Sequence, residues 1–139
     1  MLPVLKVICF ARSAIIPQPR SEGQGYVIRT PKNFSIYPGH CISLFLNYNI
    51  EFPKNFIGKF SPIPNLVVNK GLNIIGTTLF NSFQKENQII LCQNLDIYPI
   101  HLKRNDTIAL LTVEQVYTPN VKNIGLYSDL PLLRKTHKK

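Results

Sequence analysis

The chain has 139 residues, a formal net charge of +9 and 45% hydrophobic residues. That length fits one domain, and a charged fraction of only 17% excludes a disordered chain. Prolines (11) outnumber glycines (7) and fall between short apolar runs, which excludes long helices.

The N-terminal stretch MLPVLKVICFARSA (1–14) has no basic start, and Lys6 interrupts its apolar run, so it does not read as a signal peptide. LKVICFA (5–11) alternates as a strand does. PQPRSEGQG (17–25) is a loop by composition, YVIRT (26–30) is strand-like, and PKNFSIYPGH (31–40) bends at its prolines. CISLFLNYNIEF (41–52) reads as one alternating run. PKNF (53–56) is a turn before the strand IGKFSPI (57–63). LVVNKGLNIIGTTLFN (66–81) splits into two short runs around Gly71 and Gly76. NQIILCQNL (87–95) is a continuous apolar strand, DIYPIHLKRND (96–106) ends in a turn, and TIALLTVEQVYTP (107–119) is the last strong strand.

No segment carries a helical period over the length that a stable helix needs. Strands at this spacing predict an all-β barrel or sandwich. The domain spans 1–119, and residues 120–139 form a C-terminal arm and basic tail. No run is long enough to span a membrane as a helix.

Cys9, Cys41 and Cys92 are odd in number, widely spaced and set in apolar runs. They read as buried free thiols in a reducing compartment. His40, His101 and His137 are not at metal spacing from a cysteine or from one another, so no metal and no cofactor is expected. The net charge draws the chain toward something anionic. Arg134, Lys135, Lys138 and Lys139 of the terminal RKTHKK read as a solvated tail and as the candidate contact for an anionic partner. Nucleic acid is a possible partner, not the favoured one, because there is no recognition-helix pattern and no aromatic–basic ladder. Asp96, Asp106, Glu51, Glu86 and Glu114 read as solvated or turn-satisfying carboxylates. Tyr26 and Phe60 read as core or sheet surface before base-stacking groups, and Lys103–Arg104 as turn charge.

The stretch GKFSPIPNL (58–66) resembles the second motif of the trimeric dUTPase family, Gly-Arg-φ-Ala-Pro-Arg-Ser-Gly-Leu, at Gly58, Lys59, Phe60, Ser61, Pro62 and Leu66. The first motif, Gly-Tyr-Asp-Leu, is matched by GYVI (25–28), and the fourth, Lys-Gly-Asp-Arg-Ile-Ala-Gln-Leu, by RNDTIALL (104–111). The spacings from Val27 to Pro62 and from Asn94 to Asp106 are also those of the family. The resemblance covers most of residues 5–119. It implies a jelly-roll-like all-β barrel that assembles as a homotrimer, with sites between subunits.

The departures fall on the family's nucleotide site. Val27 stands where the family has the Asp that helps to hold the magnesium–triphosphate complex. Ile63 and Pro64 replace the phosphate-contacting Arg and Ser. Asn81 replaces the Asp that orients the attacking water, Phe83 or Gln84 falls near the Tyr, and Leu110 replaces the Gln of the fourth motif. The glycine-rich fifth motif is missing. Cleavage between phosphates needs cationic or metal groups on the developing charge. The expectation is therefore a pseudoenzyme with no catalytic residues. Free-standing chains of this kind, with F-I-G-K-F and a VEQVYTP close, resemble the dUTPase-derived adenoviral proteins encoded first in early region four. That likeness implies an adaptor for host proteins, inside the host cell in cytoplasm or nucleus. The terminal His-Lys-Lys is no PDZ ligand. The alternatives are an active dUTP diphosphatase with a divergent site and a basic nucleic-acid-binding protein.

Overall fold

A computed structural model describes residues 3–21, 23, 25–81 and 84–129. Among these the strands in chain order are β1 (Lys6–Cys9), β2 (Gln18–Pro19), β3 (Tyr26–Arg29), β4 (Phe34–Ile36), β5 (Cys41–Phe45), β6 (Tyr48–Glu51), β7 (Phe56–Ser61), β8 (Leu72–Ile75), β9 (Thr78–Leu79), β10 (Ile89–Asn94), β11 (Ile100–Leu102) and β12 (Thr107–Gln115). One helix, α1 (Pro64–Lys70), lies between β7 and β8, and a 3-10 turn covers Tyr127–Asp129. The protein is all-β in class, as the strand spacing predicts.

Every strand pairing is antiparallel. A five-stranded sheet runs β2-β3-β12-β7-β9, a three-stranded sheet runs β5-β10-β8, and two ribbons pair β1 with β6 and β4 with β11. Alternation sets which side chains turn inward. In β7, Gly58 and Phe60 are buried while Lys59 faces out; in β10, Ile90, Cys92 and Asn94 are buried. The core joins Ile28, Ile36, Leu44, Tyr48, Ile50, Phe60, Leu72, Ile108 and Leu111. Burial of each such side chain is worth roughly 1.5–3 kcal/mol against exposure.

Buried Asn94 ties the ribbon to the three-stranded sheet. Its Nδ2 donates to the Ile36 and Tyr98 carbonyls at 2.9 and 2.8 Å, and its Oδ1 accepts from the Asp96 N–H at 2.8 Å. Asparagine also serves the turns: Asn47, Asn55 and Asn105 adopt φ of 67°, 66° and 77°, a region that this short amide tolerates better than most side chains.

Four sequence expectations need correction. The 41–52 run is two strands, because left-handed Asn47 breaks it after Leu46. Residues 66–70 are helical: Pro64 sits in the first turn, left-handed Gly71 ends the helix, and the Gly71 N–H bonds the Val67 carbonyl at 2.9 Å. The 17–25 stretch, read as a loop, contains the short strand β2, which pairs with β3. Cys92 alone of the three thiols is buried; Cys9 and Cys41 end and begin their strands and are exposed. The tail residues Arg134, Lys135, Lys138 and Lys139 lie outside the described residues, as does Phe83.

Candidate functional site

The site positions meet on the outer face of the five-stranded sheet. Val27 in β3 is the register partner of Leu110 in β12, and Leu110 in turn partners Ser61 in β7. Gln18 completes the row on the far side of Val27. Ile28, Phe60, Ala109 and Leu111 point into the core, so alternation leaves Val27, Leu110 and Ser61 only partly buried, as the side chains of one shared surface. The step from Thr107 to Ala109 is irregular in register. That extra residue re-phases β12 and brings Leu110 opposite Val27.

Ser61 leads straight through Pro62 to Ile63 and Pro64. Ile63 occupies the N-cap of α1, where a Ser or Asp side chain would normally accept from the helix N–H groups. Its side chain cannot do so. Only its carbonyl serves, accepting from Leu66 and Val67 at 2.9 and 3.1 Å. Positions 27 and 110 are thus paired in the sheet, while 63 and 64 follow the end of β7 at the start of α1, and all four side chains are apolar.

Asn81 stands apart. It follows β9, three strands away from β3 in the sheet order. Its amide is bonded to the backbone of Phe52, with both contacts at 2.7 Å. Among the described residues nothing brings it to the Val27–Leu110 row within one chain.

The carboxylates behave as turn and surface groups. Asp106 accepts from the Lys103 N–H at 2.8 Å and Asp96 from the Ile97 N–H at 2.7 Å. Glu114 lies 3.7 Å from Lys59. Arg104 donates to the Ser13 and Pro31 carbonyls, which makes it a structural tie. Among the described residues no three His, Cys, Asp or Glu side chains group as a metal site. The donors that face the Val27 row do not fit a divalent cation, which takes carboxylate and other oxygen ligands.

The cations near the row were not singled out by sequence. Arg29, two residues beyond Val27 on the same face of β3, donates from Nη1 to the Asn105 carbonyl at 3.1 Å and to Thr107 Oγ1 at 3.0 Å, and from Nε to Gln18 Oε1 at 3.4 Å. With Arg20, Gln18, Pro19, Ser21 and Val27 it lines a cavity of about 360 Å³. The i, i+2 spacing of Val27 and Arg29 was the available signal.

No family profile matches the chain. Among curated proteins it is 28% identical over 97 residues to the deoxyuridine 5'-triphosphate nucleotidohydrolase of Caldanaerobacter subterraneus subsp. tengcongensis, a match that covers 68% of this chain and 65% of that protein. It is 27% identical over 110 residues to the enzyme of the same name from Paramecium bursaria Chlorella virus 1, over 78% of this chain and 77% of the viral protein. Among solved structures, a point variant of the dUTPase of S. aureus phage phi11 superposes with a TM-score of 0.77 over 87% of this chain and 96% of that one, at 15% identity. The dUTPase of Staphylococcus bacteriophage 80alpha gives 0.76 over the same shares at 14% identity. The chain is dUTPase-like.

This result corrects the functional expectation. The chain was expected to be a non-catalytic adaptor for host proteins. Both curated relatives are instead named as nucleotidohydrolases, and the structural neighbours of this dUTPase-like chain are dUTPases. The pseudoenzyme reading falls with it. No helix among the described residues is long and apolar enough to cross a membrane.

Proposed function

We propose that the chain is a nucleotide diphosphatase of the dUTPase kind, which cleaves dUTP to dUMP and pyrophosphate. The supporting observation is the similarity over 97 and 110 residues to two proteins named for that hydrolysis. The sheet row Val27–Leu110–Ser61 supplies an apolar surface, and Arg29 beside it supplies a fixed positive charge. A fixed cation stabilises charge that develops on the departing pyrophosphate.

The working unit in this proposal is a homotrimer. Asn81 is separated from the Val27 row within one chain, so a complete site needs a second copy. An apolar strip on the outer face of β5-β10-β8 favours assembly: exposed Phe45 partners exposed Ile89, and Leu91 partners exposed Ile75. An intracellular location suits a nucleotide substrate.

The test is pyrophosphate release from dUTP with magnesium, by purified full-length protein against a matched mock preparation. Turnover above the mock is expected, from a species that light scattering reports as three chains. Turnover equal to the mock overturns the hydrolase reading, and a monomer at micromolar concentration overturns the trimer.

A further inference from the structure

Three turns that are far apart in the sequence meet at Arg104. Its Nη1 donates to the Ser13 carbonyl, in the turn after β1, at 2.7 Å and to the Pro31 carbonyl, between β3 and β4, at 2.6 Å. Its N–H bonds Asn33 Oδ1 at 2.7 Å, and the Asn105 N–H bonds the Thr30 carbonyl at 2.8 Å. Arg12 and Lys32 each stand one residue from a carbonyl that Arg104 holds, and Lys103 precedes Arg104 itself. All four cations are exposed. Asp106 is the one carboxylate within residues 11–14, 30–33 and 103–106. It is turned back on its own loop, where Oδ2 accepts from the Lys103 N–H at 2.8 Å. Among the described residues none of the four cations forms an ion pair. The ties of Arg104 use Nη1 alone, so its Nε and Nη2 have no partner among the described residues.

We infer that this cluster is a contact surface for the phosphodiester backbone of a nucleic acid, held without reading its bases. Cations spread over a few adjoining turns match a chain of regularly spaced phosphates, and each phosphate they neutralise releases counterions. Neutral donors stand among them: Asn33 has its Oδ1 engaged by Arg104 and keeps Nδ2 as a donor, the kind of group that phosphate and sugar oxygens take. No helix or strand of the cluster is placed to enter a groove, so base readout is not part of the contact. An anionic bilayer fits less well. The apolar residues of the three turns are Ala11, Ala14 and Pro31, and stable adsorption to a membrane takes an apolar anchor as well as basic charge. The ties at Arg104 fix the three turns to one another before binding, which keeps the ordering cost low. The cluster lies past the Thr107–Arg29 end of the β12–β3 pair, beyond the row at Leu110 and Val27. The inference does not rest on the hydrolase reading.

The experiment is fluorescence anisotropy of the full chain with labelled duplex DNA of two unrelated sequences and with single-stranded RNA, across roughly 50–200 mM salt. The two duplexes should bind equally. The logarithm of the affinity should fall with that of the salt concentration, by about 0.9 per phosphate neutralised on duplex and about 0.7 on single strand. Arg12→Gln, Lys32→Gln and Lys103→Gln change exposed side chains and leave the Arg104 ties intact. Each should flatten the duplex slope by about 0.9, and the triple variant should lose on the order of tenfold or more in affinity at the low-salt end. Lys70→Gln, on α1, is the control for diffuse attraction, and a variant with glutamine at Arg134, Lys135, Lys138 and Lys139 isolates the tail. Circular dichroism checks that every variant is folded. Excess dUTP should leave the binding unchanged. Affinity and slope untouched in the triple variant overturn the inference, as does a loss in Lys70→Gln equal to that of each single variant. Displacement by dUTP overturns it too, by moving the contact to the nucleotide site. So does triple-variant-sensitive binding to phosphatidylserine vesicles with none to the oligomers, which makes the surface a membrane contact.

Discussion

Asn81 clasps the backbone of Phe52: its Oδ1 accepts from the Phe52 N–H at 2.7 Å, and its Nδ2 donates to the Phe52 carbonyl at 2.7 Å. The amide satisfies the end of β6 as a neighbouring strand would. This clasp has a consequence for any attempt to restore a carboxylate at the position.

Asn81→Asp replaces the donor with a second acceptor. At neutral pH the new carboxylate would face the Phe52 carbonyl oxygen. The expected loss is about 1–3 kcal/mol, the range for a broken hydrogen bond that leaves a polar group unmet. The neutral carboxylic acid can donate, so the folded state favours the protonated form and raises the pKa of the introduced group. Its stability contribution is then present below the unfolded value of about 4 and lost as pH rises through the folded value. Urea unfolding at pH 7 and near pH 4 checks this, with a smaller deficit expected at the lower pH. Equal deficits at both would mean that the clasp is not the cause. Asn81→Ala should cost a similar amount at either pH, so activity measured on either variant must be normalised to the folded fraction.

Gly58 admits no side chain. A Cβ there would lie 2.5 Å from Phe52 Cζ, 2.6 Å from its Cε1 and 3.2 Å from Leu111 Cδ1. Both neighbours are buried, so neither ring nor methyl can move aside without disturbing the core. Gly58→Ala should destabilise by about 1–3 kcal/mol through overpacking. Phe52→Leu in the same chain should recover part of that loss, because it removes the clashing ring edge. Thermal melts of the single and double variants measure the coupling. Strictly additive losses would show that the ring does not press on Gly58.

The strands were legible because inward and outward positions alternate, as in FIGKFS of β7 and IILCQN of β10. Val27 and Leu110 were legible as site positions through the motif order, since both sit in matched stretches; that they pair was not. The helix was missed because seven residues show no period. Its signals were local, Pro64 at the start and Gly71 at the stop. Cys92 is buried as expected, but Cys9 was misplaced because VICFA is apolar throughout and gives no phase from which to tell its face, and Cys41 likewise proved exposed. The least legible features join distant positions. The clasp of Asn81 on Phe52 spans 29 residues, and the bond from Arg29 to Thr107 spans 78. No spacing rule reaches that far. The register irregularity before Ala109 also decides which β12 side chain meets Val27, and the sequence TIALL does not announce it.

The last prediction concerns alkaline pH. Burial lifts the Cys92 thiol from its ordinary 9.0 to about 12. Burial, with nearby Cys9 second, lifts the Tyr48 phenol above its ordinary 10.0. In both the folded state holds the proton more tightly than the unfolded chain does. The stability they confer is therefore complete below pH 9 and is lost as pH rises through the folded values. Between pH 9 and 12 the unfolded thiol ionises while the folded one does not, which lowers stability by up to about 1.4 kcal/mol per pH unit. Tyr48 adds a second decline that begins above pH 10. Cys92→Val should flatten the first decline and leave the second. Tyr48→Phe should do the reverse. It should also gain about 1 kcal/mol at pH 7, because the Tyr48 hydroxyl is buried with no hydrogen-bond partner. Urea unfolding from pH 7 to 11 reads both slopes, and thiol labelling gives an independent check. Exposed Cys9 and Cys41 should react in the folded protein, and Cys92 only after denaturant is added. Three thiols reacting at one rate in the native state, or an alkaline slope unchanged in Cys92→Val, would show that Cys92 is not sealed in the core beneath β10.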